Sequence, residues 1–151
     1  MGRQWTNTPS QGSLVWAAMD IERINPPELG RPSGFSHAVS AQASRTVYLA
    51  GQIGTGPDGK VVSGGIVAQF EQALANLLTA LAAAGGQPED LVSLTLYLTD
   101  VGDYQAHGPQ IGSVWRKLAG TPYPAMAGVG VTRLWDPGAQ VEIQGIAVVS
   151  R

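Results

Sequence analysis

Within Leu91–Thr99, hydrophobic and polar positions alternate from Val92 onward. Val92, Leu94, Leu96 and Leu98 fall on one side, and Ser93, Thr95, Tyr97 and Thr99 on the other, which is the period of a strand. Over 67–84 the period lengthens. Val67, Phe70, Leu74, Leu77, Leu78 and Leu81 share one face, with Gln69, Glu71, Gln72, Asn76 and Thr79 largely around the other, so an amphipathic helix is predicted. Gly85-Gly86 stops it. A second helix is predicted over 103–118, with Asp100 or Asp103 near its cap. Shorter apolar stretches predict strands over 19–24, 35–41 and 46–51, and again over 125–131 and 140–149. Asn25-Pro26-Pro27 ends the first strand, because proline cannot donate to a ladder. Residues 28–34 read as loop, and Pro57-Asp58-Gly59 and Asp136-Pro137-Gly138 as turns. The predicted order is β-β-β-α-β-α-β-β, an α+β fold with a single mixed sheet and two helices packed on one face.

The leucine side of 91–99 should carry the helices. The Ser93, Thr95, Tyr97 side is too weakly polar for an ordinary solvent face and is predicted to pack around a subunit axis. The whole composition agrees, since only 13% of the 151 residues are charged against 44% apolar, which leaves little charge to cover a surface. Residues 1–18 show no sustained period and are read as an N-terminal extension or leader, with disorder as one reading; 19–151 form one domain.

Other classes are disfavoured. The net charge is −2 with no basic stripe, which argues against a nucleic-acid partner. The absence of Cys excludes disulfides and thiolate chemistry, and two His without Cys make a dedicated metal site improbable. The apolar runs fall short of the roughly 18 residues that span a membrane. A cytoplasmic protein is expected.

Two nucleotide fingerprints fail on context. Gly54-x-Gly56-x-x-Gly59 follows a strand, and Gly54-x-x-x-x-Gly59-Lys60 is nearly a phosphate loop. Each needs a helix starting directly after the glycines, and Val61-Val62-Ser63-Gly64-Gly65 is no helix start. Asp100 and Asp103 read as capping residues rather than a catalytic pair. His37 is a candidate base, although a lone His near a strand is more often structural. Glu142 stands out more. It sits between Val141 and Ile143, on a strand face that continues through Gln144, Ile146 and Val148. A carboxylate desolvated by such neighbours suits proton transfer near neutral pH.

Several segments in order carry a family resemblance. They are Gly34-Phe35-Ser36-His37-Ala38-Val39, Leu49-Ala50-Gly51-Gln52-Ile53, Ala68-Gln69 through Asn76-Leu77, Tyr97-Leu98-Thr99-Asp100, Tyr123-Pro124-Ala125 and Val141-Glu142-Ile143. Over Asp20 to Val149 the chain resembles the Rid (YjgF-like) family of reactive-intermediate deaminases. The resemblance implies a chorismate-mutase-like α+β subunit assembled as a homotrimer, with pockets between subunits and neither cofactor nor metal. It also implies hydrolysis of short-lived enamines and imines such as 2-aminoacrylate to keto acids and ammonia. In the best-known branch a Pro-Ala-Arg-Ser run supplies an arginine that grips a substrate carboxylate. Here the run is Pro124-Ala125-Met126-Ala127. Matched residue by residue, Glu142 holds the position of the family glutamate and Gly51 that of the glycine whose backbone lines the pocket. Phe35 replaces a usual Tyr, Met126 replaces the arginine, and Gly128 stands where a small residue or Cys follows it. Gly108 stands near a position often held by Asn.

A bidentate guanidinium–carboxylate pair, worth roughly 1.5–3 kcal/mol per bond to a charged group, is therefore missing. Arg133, Arg116 and His37 are the available substitute charges, and the seven-residue offset of Arg133 from Met126 points it to the opposite strand face. The expectation is a small-molecule pocket protein hydrolysing an imine, enamine or related reactive metabolite without the usual carboxylate anchor. Glu142 would be its catalytic group, and Phe35, Gly51, Met126, Gly128 and His37 would line its pocket. The alternative is a non-catalytic trimeric metabolite-binding or regulatory module.

Overall fold

The computed structural model describes residues 20–42 and 45–150. Its elements run β1 (Asp20–Ile24), β2 (Ala38–Gln42), β3 (Arg45–Ile53), α1 (Gly65–Ala83), β4 (Leu91–Leu98), α2 (Val101–Ala106), α3 (Gly108–Ala119), β5 (Ala125–Gly130) and β6 (Val141–Val149). The reading of residues 1–18 falls outside the described residues. The α+β class and the packing of helices on one side follow the sequence pattern.

Four strands form a mixed sheet in the order β3-β6-β4-β5, with β4–β5 parallel and the other pairs antiparallel. Strands β5 and β6 are consecutive in sequence but not neighbours. The turn at Asp136–Gly138, closed by Gly138 N donating to Asp136 Oδ1 at 2.7 Å, leads the chain across β4 instead of into a hairpin. The first two strands refine the expected single sheet. They pair with each other as a two-stranded ribbon, which meets β5 at one parallel bridge, Ser36–Ala125.

Helix α1 lies on β3 and β6, beside α3. By length and composition it is apolar enough to cross a membrane, but Ile66, Phe70, Ala73, Leu74, Leu77 and Leu81 are buried in the core. Each large side chain so buried contributes about 1.5–3 kcal/mol. Facing them are Leu94, Leu96 and Leu98 of β4 and Val141, Ile143 and Ala147 of β6. Val92 departs from the predicted face. The ladder shifts register between Leu91 and Ser93, so Leu91 is fully buried and Val92 only half-buried. A strand with an extra residue swings the side chains on either side of it.

The second predicted helix is two helices meeting at His107. Pro109 is the reason: it has no N–H for the i−4 bond, and its ring crowds the carbonyl four residues back. The Asp100 side chain accepts Asp103 N at 2.9 Å, which confirms its capping role. Gln69 departs from the expected polar side of α1. It is buried, donates to Gly138 O at 3.1 Å and accepts Gln140 N at 2.8 Å, and so staples the β5–β6 loop to the helix. The backbone of α1 also passes within 2.9 Å of where a Cβ at Gly54 would stand. The Gly54–Gly59 glycines form a tight turn with a Thr55–Val61 bridge and Gly56 N bonded to Lys60 O at 2.8 Å, and α1 begins only at Gly65. The rejection of both nucleotide fingerprints stands on that geometry.

Candidate functional site

Strand register decides which predicted site residues meet. Glu142 is opposite Ile53 of β3 and Tyr97 of β4, on the face away from the helices. The β3–β6 register shifts between Leu49 and Gln52, and that irregularity brings Gly51 under Glu142. A Cβ at Gly51 would stand 2.8 Å from the Glu142 carboxyl carbon and 3.0 Å from its Cγ, and would overlap a carboxylate oxygen. Only glycine leaves that space. Asn76 of α1 fixes this end of β3 by donating to Ile53 O and Thr55 O, both at 3.0 Å. Glu142 is half-buried, and its side chain makes neither a hydrogen bond nor an ion pair with another described residue. Beside it the Tyr97 hydroxyl donates to Gln144 Oε1 at 3.1 Å.

Met126 and Gly128 lie elsewhere. They are opposite Leu94 and Leu96, so they belong to the helix side of the sheet. Met126 packs against the core and borders a cleft of about 620 Å³ between β5 and α1–α3. Phe70, Tyr104, Trp115 and Tyr123 supply its aromatic walls, and Arg116 its one charged lining residue. The Trp115 and Tyr123 rings stack at 5.2 Å, and the Tyr104 ring meets Phe70 edge-on at 6.1 Å. The Trp115 indole N–H is buried without a hydrogen-bond partner. Burial, reinforced by Tyr123 nearby, pushes the Tyr104 hydroxyl up to about 12. Gly108 also lines the cleft, whereas Gly128 is exposed, with open space where a side chain would be.

Phe35 and His37 form a third place. They precede β2 instead of lying in it, and their rings meet edge-on at 5.1 Å. His37 Nε2 is 3.2 Å from Gly30 O, and its backbone N donates to Asn25 Oδ1 at 2.9 Å, so the imidazole ties down its own loop. Phe35 borders a separate depression with Arg31 and Thr121. Within one chain, then, Gly51 and Glu142 come together while Phe35, His37, Met126 and Gly128 stand apart from them. Among the described residues no His, Asp and Glu side chains group as a metal-ligand set.

The family model described as Endoribonuclease L-PSP matches residues 28–149. The chain belongs to the Rid family. A relative from the mite Dermatophagoides farinae, called 2-iminobutanoate/2-iminopropanoate deaminase, is 34% identical over 128 residues, covering 83% of this chain and 94% of its own. Protein DfrA of Myxococcus xanthus is 39% identical over 115 residues, covering 76% of this chain and 84% of its own. Among solved structures, the Rid-family protein YyfB of Yersinia pestis superposes with a TM-score of 0.77 at 34% identity, covering 87% of this chain and 100% of its own. In this Rid protein the Glu142 carboxylate lies over Gly51, and β5 carries no charged residue. The aromatic cleft escaped the sequence reading, although Trp115-Arg116 on an amphipathic helix facing Tyr123 was a signal for it.

Proposed function

We propose that this Rid protein hydrolyses a reactive imine or enamine that is not gripped by an arginine on β5, where Met126 presents an apolar side chain instead. The observation that carries this reading is the Glu142 carboxylate, half-buried beside Gly51 and Tyr97 without a counter-charge. A purely structural position has little reason to desolvate an unpaired carboxylate. In the proposed reaction Glu142 takes a proton from water as the water oxygen bonds to the imine carbon. It returns that proton to nitrogen to give a carbinolamine, whose hydroxyl proton then passes by way of Glu142 to nitrogen as the carbon–nitrogen bond breaks, leaving a carbonyl product and ammonia. An enamine first takes up a proton at carbon to reach the imine.

Assembly completes the site in this reading. The sheet face bearing Glu142 is uncovered in the single chain, with Tyr48 78% exposed on it. A homotrimer packed on that face would set the Glu142–Gly51 half of one subunit against Phe35 and Met126 of the next. The names of the deaminase relatives support the reaction class, and Met126 supports a substrate different from theirs. The separation of Met126 from Glu142 within one chain favours a second reading, a non-catalytic trimeric metabolite-binding module.

The test is ammonia release from a panel of imines generated in situ, ranging from 2-aminoacrylate to bulkier apolar ones. Bulkier imines should be accelerated and 2-aminoacrylate should not. Glu142→Gln should lower turnover by about 10²–10⁴-fold with unchanged subunit association. Full turnover by that variant overturns the assignment, and binding without turnover by the native protein selects the second reading.

A further inference from the structure

The cleft on the helix side of the sheet has features that packing alone does not explain. Its volume, about 620 Å³, lies in the range that holds small ligands. Its walls are aromatic, with Met126 as a flexible, polarisable contribution from β5. Two donors there lack acceptors. The Trp115 indole N–H is buried in a residue only 3% exposed and has no partner. Buried donors are rarely left this way unless something absent from the chain completes them. Arg116 is solvent-exposed, its guanidinium makes no hydrogen bond or ion pair with a described residue, and no carboxylate lines the cleft to compete for it.

Helix α3 shapes how that charge is presented. Gly108, Gly112 and Arg116 are spaced by four, so they share one face, and all three border the cleft. Arg116 Nη1 lies 3.4 Å from where a Cβ at Gly112 would stand. The guanidinium therefore lies back along the helix over the cleft, on ground that a side chain at 112 would crowd.

We infer that Arg116 is an anion-binding specificity residue, and that the cleft takes a small carboxylate carrying an aromatic ring. The ring would stack among Phe70, Tyr104, Trp115 and Met126, and the carboxylate would bridge to the guanidinium fork. This rests on the proposed function only for the identity of the reacting end; the anchor itself is a binding claim. It differs from an arginine on β5 because the charge comes from the helix, across the width of the cleft from the strand.

The experiment uses two unreactive probes of equal length, 3-phenylpropanoate and 3-phenylpropan-1-ol, titrated into the full chain by tryptophan fluorescence and calorimetry. The acid should bind about tenfold or more tightly than the alcohol, the scale of a hydrogen bond to a charged group. Arg116→Gln should remove that difference while sparing alcohol binding, and Gly112→Leu should reduce it by displacing the guanidinium. Equal affinity of the two probes for the native chain, or discrimination that survives Arg116→Gln in a variant with native circular dichroism, overturns the proposal. Discrimination that disappears in Arg116→Gln, together with no imine hydrolysis, supports the anchor and faults the hydrolase reading alone.

Discussion

On the helix side of the four-stranded sheet, Leu94, Leu96, Val141 and Ile143 are exposed by 4% or less. On the other side their immediate chain neighbours Thr95, Tyr97 and Glu142 stay half-buried and Gln144 is exposed. The same alternation generates both faces, yet only the first has been filled by the chain itself. Volume and shape decide the filled side, where α1 covers β3 and β6. The bare side is decided by chemistry: small hydroxyls, an amide and one carboxylate, too apolar for solvent and too polar for a core. Glu142 sits on that face, where the proposed assembly would place another subunit. The Met126 cleft lies across the sheet, so each half of the proposed pocket inherits the character of its own face.

The comparison can be broken most sharply from the filled side. Leu74 is fully buried, so Leu74→Ala should cost about 2–5 kcal/mol of stability, read as a lowered thermal midpoint. A loss below 1 kcal/mol would mean the helix side is less tightly packed than its burial indicates.

Alkali probes the same side. The Tyr104 hydroxyl, held at about 12 in the folded chain, ionises near 10 when unfolded. Below pH 10 both states keep the proton and stability is unaffected. Between pH 10 and 12 the unfolded chain sheds its proton first, so stability should fall by about 2–3 kcal/mol. Tyr104→Phe should flatten that decline in denaturant melts taken across the window.

The bare side yields smaller effects on stability and larger ones on function. Gly51→Ala forces the flexible Glu142 side chain aside and should cost only about 1 kcal/mol, with turnover falling further than that loss accounts for; an active Gly51→Ala protein would detach Glu142 from the chemistry. Thr95→Arg should be smallest of all in the melt of the separated subunit, about 0.5 kcal/mol or less. It should nonetheless dissociate the proposed trimer in light scattering, and an intact assembly would show that this face is not the interface.

The fold was legible where one residue type repeats at one period. Leu94, Leu96 and Leu98 announced their strand face, and Phe70, Leu74, Leu77 and Leu81 their helix. It was less legible where a single backbone event intervenes. The shift at Val92 is marked only by two apolar residues in a row, Leu91-Val92, whereas Gly108-Pro109, inside an otherwise helical pattern, did carry the signal for the break at His107. Gln69 looked like a surface residue because the loop carbonyl and amide it serves lie about 70 positions away in sequence. At the candidate site, the apolar neighbours of Glu142 singled it out, and the resemblance supplied Gly51. The placing of Met126 and Glu142 on opposite faces depends on the pairing of β5 and β6 with β4, and strand patterning alone does not specify which strands become neighbours.

The ribbon of β1 and β2 is held by very little. Arg23 Nε and Ser36 Oγ both donate to the one carbonyl of Tyr123, at 3.1 and 2.8 Å, and Ser36 N reaches Pro124 O at 2.9 Å. The ribbon is thus latched to the Tyr123–Pro124 segment and, through Arg23 Nη2 at 3.2 Å, to Glu89 O, while the Tyr123 ring is clamped against Trp115. Its amides should exchange with solvent well ahead of those in β4 and β6, because lifting the latch exposes almost none of the core.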